Sequence, residues 1–151
     1  MNTPHDHAPP ASPGSVGTRS DSADPRLGLT VIHRRYVPYS HAHYGGNLVD
    51  GAYALGLFGD VATEVAIRMD GDEGLLAGYS EIRFLGPVRA GDVLEAGAEV
   101  VRIGRRSREL RLWAQVVARA EPERGPSAAR VLDPPERVVE AVATVVVPTA
   151  T

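Results

Sequence analysis

Of 151 residues, not one is cysteine, which excludes disulfides, thiolate metal centres and a cysteine nucleophile. Lysine is absent as well, so all 16 basic residues are arginine. Schiff-base chemistry and the lysine-bearing phosphate loop of nucleotide hydrolases are therefore ruled out. There is no excess of positive charge. The formal net charge of −3 argues against a nucleic-acid binder, which ordinarily carries a basic face. No apolar run approaches the roughly 20 residues that a membrane-spanning helix needs. The first residues show no charged-then-apolar export pattern, so a cytoplasmic protein is expected.

What is present divides into two materials. Residues 1–26 hold Pro4, Pro9, Pro10, Pro13 and Pro25 among Ser, Gly, Asp and Thr, with almost no large apolar side chain. Such a stretch cannot bury enough surface to offset its ordering entropy, and it reads as a disordered tail that includes His5 and His7. Residues 27–148 read as one domain.

Within that domain, Leu27 to Tyr36 is β-branched and bounded by proline, hence a strand. Leu48 to Arg68 is the one long proline-free helical segment. At 100° per residue, Leu48, Ala52, Leu55, Gly59, Ala62 and Ala66 share a small apolar face suited to close packing on a sheet. Asp50, Tyr53, Leu57, Asp60, Glu64 and Arg68 fall opposite. MDGDEG, Met69 to Gly74, ends the helix, and the period then becomes strand-like. Leu75 to Phe84, Val93 to Ile103, Glu109 to Ala120 and Val138 to Val147 are the remaining strands. The polar stretch at about 121–136 is expected to be a flexible insertion.

One strand, one long helix and an antiparallel meander predict an α+β protein: the hot-dog arrangement, an antiparallel sheet wrapped around one long central helix. Such a sheet commonly continues across a dimer, and polar residues at the helix N-terminus are left for a site.

The densest candidate cluster is HAHYGGNLVDG, His41 to Gly51. Glycines before a helix let backbone approach a ligand, and helix-start amides attract charge developing on a carbonyl oxygen. Gly45, Gly46 and Asn47 fit that use; they fit equally a glycine turn with Asn47 as N-cap and Asp50 three residues on. His41 and His43 suit proton transfer or orientation, or simple exposure to water; with no third ligand in view they make a poor metal pair. Asp60, set among Phe58, Gly59 and Val61, is expected to be largely buried, where a carboxylate is tuned toward a base. Glu64 and Arg68 have the spacing of a surface ion pair, and Glu81 lies in a strand whose facing is open. Arg105, Arg106 and Arg108 cluster at a hairpin, suited to the phosphates of a nucleotide-bearing substrate or to a solvated turn.

The strings HAHYGGNLVDGA, LFGDVATE, DGDEGL and FLGPVRAGD, spread over roughly Leu29 to Ser107, resemble the 3-aminobutyryl-CoA ammonia lyases of lysine fermentation and the related β-alanyl-CoA ammonia lyases. The resemblance implies a small hot-dog enzyme, without metal or organic cofactor, that reversibly eliminates ammonia from a 3-aminoacyl-CoA to give the 2-enoyl-CoA. It implies an acyl-CoA substrate and self-association as a dimer or higher homo-oligomer. On this reading Asp60 or Asp50 takes the Cα proton, His43 orients or shares it, and amides around Gly45, Gly46 and Asn47 polarise the thioester. Acyl-CoA hydrolysis, enoyl-CoA hydration and non-catalytic acyl-CoA binding are the competing readings.

Overall fold

A computed structural model describes residues 23–148. The first 22 residues, and with them most of the expected tail and both its histidines, lie outside the described residues. The remainder of that tail is tied down: the Arg26 guanidinium donates to Asp24 at 2.8 Å and to Asp70 at 2.9 Å.

The elements in chain order are β1 (Thr30–Tyr36), α1 (Gly51–Asp70), β2 (Leu75–Phe84), β3 (Val93–Ile103), β4 (Ser107–Ala120) and β5 (Ala129–Val146). The five strands form one antiparallel sheet in the order β1-β3-β4-β5-β2. α1 joins the two edge strands and crosses one face of the sheet, touching every strand. This is the expected hot-dog arrangement.

Alternation builds the inner face. Leu94, Ala96, Ala98 and Val100 of β3 are buried, as are Leu110, Leu112, Ala114 and Val116 of β4. The alanines matter, because they make room for large side chains of the helix. The buried stripe of α1 is Ala54, Leu57, Phe58, Val61, Ala62, Val65, Ala66 and Met69. This corrects the expected face: Ala62 and Ala66 are buried, but Ala52 is exposed and Leu57, assigned to the opposite side, is buried. Burying Leu57, Phe58, Val61 and Val65 removes more apolar area from water than burying a glycine-alanine face, and that difference selects the rotation.

The termini of α1 are specified locally. Asp50 caps it, accepting from the Tyr53 N–H, and Gly71 closes it with a left-handed φ of 65°. The expected insertion at 121–136 also needs correction. β4 and β5 stay paired out to Ala120↔Ala129, so only residues 121–128 form a loop. Pro134 and Pro135 fall where the register slips between Glu136 and Val131, so the ladder loses little to their missing N–H groups. No helix among the described residues is long and apolar enough to cross a membrane.

Candidate active site

The chain between β1 and α1 is a folded reversal rather than a loose loop. Ala42 pairs with Val49, and the His43 and Tyr44 amides both donate to the Leu48 carbonyl, at 2.8 and 3.0 Å. At its tip, Gly45–Asn47 form a tight turn with Gly46 at φ 68° and Asn47 at φ 60°. A left-handed residue is cheap for glycine and tolerable for asparagine, which is why this pair stands there. The reversal is fastened to the segment before β3: Val49 donates to the Val88 carbonyl and Ala90 to the Asn47 carbonyl, both at 2.9 Å.

Asp50 follows directly, at the start of α1. Its Oδ1 accepts from the Tyr53 N–H at 3.2 Å. Its Oδ2 lies 3.8 Å from His43 Nδ1, close enough for charge attraction when the imidazole is protonated and one small shift from a hydrogen bond. Both side chains reach solvent. The first amides of a helix have no intrahelical acceptor; with Tyr53's taken by Asp50, those of Gly51 and Ala52 remain at the positive end of α1 without a partner in the helix.

Beside Asp50 opens a cavity of about 270 Å³, lined by Asp50, Gly51, Ala54, Phe84, Val88 and Val139 among others. Among the described residues, Asp50 is the only charged one in its wall. Tyr53, one turn on, has its phenol pushed up by burial, against a smaller opposing pull from Arg35, and so stays protonated as a hydrogen-bond donor. The His41 ring packs on Tyr53 at 4.7 Å.

The structure therefore brings His43 and Asp50 together and separates them from other candidates. Asp50, not Asn47, is the N-cap, and Gly46 and Asn47 line a different groove of about 320 Å³, with Arg89, Pro122 and Pro126. Asp60 is exposed rather than buried, ten residues along α1 and hence about 15 Å from Asp50 along the axis. The large neighbours Phe58 and Val61 turn inward and leave Asp60 on the far side. Arg105 and Arg106 are exposed at the β3–β4 hairpin. Arg108 is not available to a substrate: it is buried and grips Asp70 through Nε at 3.0 Å and Nη2 at 2.7 Å. Glu64 does pair with Arg68, at 2.8 Å, but its other oxygen meets His33 Nε2 at 3.0 Å. Hydrogen bonds from His33 and then Arg68 hold that carboxyl below the usual range.

Sequence reasoning missed Gly51, Ala54, Phe84 and Val139 as site residues. Phe84 stood in plain view in FLGPVRAGD, but nothing local said that the end of β2 lies over the start of α1.

Comparison with known proteins decides the family. The chain is 47% identical over 107 residues, covering 71% of itself and 85% of its relative, to the 3-aminobutyryl-CoA ammonia lyase of Acetoanaerobium sticklandii. The chain belongs to the 3-aminobutyryl-CoA ammonia lyase family. Among solved structures, the β-alanyl-CoA:ammonia lyase of Clostridium propionicum superposes with a TM-score of 0.76 at 32% identity, covering 80% of this chain and 86% of that one. A hexameric thioesterase from Yersinia pestis shares the fold alone, with a TM-score of 0.63 at 18% identity over 80% of this chain and 87% of its own. Residues 45–113 match the family described as Thioesterase superfamily, so these ammonia lyases and the thioesterases are variations on one scaffold. Both ammonia lyases share more residues with this chain than that thioesterase does.

Proposed function

We propose that this member of the ammonia lyase family reversibly eliminates ammonia from a short 3-aminoacyl-CoA, such as 3-aminobutyryl-CoA, to give the 2-enoyl-CoA. The observation that carries the mechanism is Asp50 at the mouth of an apolar cavity, with His43 at 3.8 Å and the start of α1 beside it. The thioester carbonyl sits at the Gly51 and Ala52 amides, whose partial positive charge stabilises the enolate that forms when a Cα proton departs. Asp50 takes that proton. The Cα electron pair forms the double bond, the C–N bond breaks, and ammonia leaves with the bonding pair. His43 passes the proton from Asp50 to the departing nitrogen, which is released as ammonium.

The reaction needs no metal or organic cofactor in this proposal, because the thioester itself acidifies the Cα proton. Gly46 and Asn47 line the neighbouring groove along which the rest of the coenzyme extends. Arg105 and Arg106, on the hairpin beside the Asp70 end of α1, reach its phosphates only from another copy of the chain. Asp60 reaches an Asp50 cavity only from another copy of the chain. Self-association fits β2, an edge strand that exposes Leu75, Ile82 and Phe84. A cytoplasmic setting and a step in lysine degradation belong to the same proposal.

The test follows crotonyl-CoA in the presence and absence of ammonium. Ammonium-dependent loss of enoyl-thioester absorbance without free thiol is expected. Asp50→Asn lowers kcat by about two to four orders of magnitude, the usual yield of general base catalysis. Rapid thiol release would mean hydrolysis, loss of absorbance without ammonium would mean hydration, and binding without turnover would mean a carrier module. Asp50→Asn with parental kcat would refute the assignment of the base.

A further inference from the structure

We infer that Phe84 sets the length of acyl chain that the Asp50 cavity accepts, and that Gly51 is glycine because it seats the Phe84 ring. This rests on the reading of that cavity as the acyl site.

The ring lies directly against the first residue of α1. A Cβ placed on Gly51 would stand 2.7 Å from Cε1 and 2.8 Å from Cζ of Phe84, closer than real side chains approach. Any larger residue at 51 would therefore displace the ring. Phe84 ends β2, opposite Val139 of β5, and both residues line the cavity. The ring thus spans from the sheet edge to the helix start, a few atoms from the carboxylate. Phe84 is also 58% exposed, so little in this chain besides Gly51 and the strand end fixes it.

The cavity is small and mostly apolar. At about 270 Å³ it is smaller than the roughly 300–1,000 Å³ of pockets that enclose drug-sized ligands. With Val49, Ala54, Val88 and Val139 in its walls, it supplies apolar surface and one charge, suited to an acyl chain that carries an amine on C3. A carbonyl held at the Gly51 amide fixes where the chain begins. A longer chain must then run into the ring of Phe84 or push it aside.

The experiment measures kcat/KM for ammonium addition to crotonyl-CoA and 2-octenoyl-CoA with parent, Phe84→Leu, Phe84→Val and Phe84→Ala. Dissociation constants for both thioesters are measured beside them, and thermal melts establish folding. The eight-carbon to four-carbon ratio of kcat/KM should rise as the side chain shrinks, by about tenfold or more at alanine, the scale on which hydrophobic pockets discriminate methylenes. Phe84→Leu should stay nearest the parent. A ratio within twofold of the parent in all three folded variants overturns the inference. Should ammonium-dependent turnover be missing from the parent, the functional reading fails by itself. The ratio of dissociation constants then tests Phe84 independently, with the same expected rise and the same flat result against it.

Discussion

Asp92 is fully buried, and its removal offers the sharpest test of how the wall of the cavity is held. Its Oδ2 accepts from the Arg89 amide at 2.8 Å and from Arg119 Nη2 at 3.0 Å, while Oδ1 accepts from Arg119 Nε at 3.1 Å. Arg119, itself only 11% exposed, also donates to the Pro87 carbonyl at 2.8 Å and to Glu136 at 3.0 Å. The two side chains clamp the turn that carries Pro87 and Val88 into the cavity wall. Asp92→Ala deprives the buried guanidinium of two acceptor contacts and the Arg89 amide of its carboxylate acceptor. Breaking a buried pair from one side costs about 3–5 kcal/mol, and the surviving Glu136 contact places this case near the lower end, about 3 kcal/mol. Against a total stability of about 5–15 kcal/mol, that is a large fraction. Urea unfolding at fixed protein concentration reads it as a midpoint lowered by about 1–3 M with an unchanged slope. Joint replacement, Asp92→Leu with Arg119→Met, should cost less than the sum of the two single changes, because no charge is then stranded. A cost below about 1 kcal/mol for Asp92→Ala, or strict additivity in the double variant, would refute the clamp.

Other outcomes follow from the same geometry. Arg108→Leu removes two of the three guanidinium hydrogen bonds to Asp70, Arg26 keeping the third, and should destabilise by at most about 3 kcal/mol in urea without changing KM. Arg105→Ala with Arg106→Ala, both exposed at the hairpin, should leave the unfolding midpoint unaltered. The Tyr79 hydroxyl is buried without a hydrogen-bond partner, so Tyr79→Phe should stabilise by about 1 kcal/mol, read from the same unfolding curves; a loss would mean that the hydroxyl is satisfied. The hydrogen bond from Arg34, and then that from Gln115, holds the Glu95 carboxyl below its ordinary value despite partial burial. A depressed native value contributes stability that is present above the unfolded pKa of about 4.3 and lost as pH falls through the native one. Melting temperatures of Glu95→Gln between pH 6 and 3 should therefore decline less steeply than the parent's, and parallel declines would remove Glu95 from the account.

β3 and β4 could be read from the chain because their side chains alternate, and period two is a local property. The long helix was legible as the one long proline-free segment, although its N-terminus sits at Asp50 rather than near Leu48. Its buried face was not, since rotation about the axis depends on the alanines of β3 and β4 that receive Leu57 and Phe58. Likewise Pro134 and Pro135 disguised half of β5, because a bulge is visible only against the partner strand.

The sequence by itself determined the inventory of chemistry: no thiol, no lysine amine, histidines and aspartates near a helix start, and strings resembling one lyase family. Only the tertiary structure decided which of these residues share a cavity. It joined Asp50 to Phe84 and Val139 from distant strands, moved Asp60 to an exposed face, and committed Arg108 to Asp70. The physical reason is that periodicity and turn chemistry act between neighbours in the chain, whereas a site is made by burial, which sums contributions from every element at once.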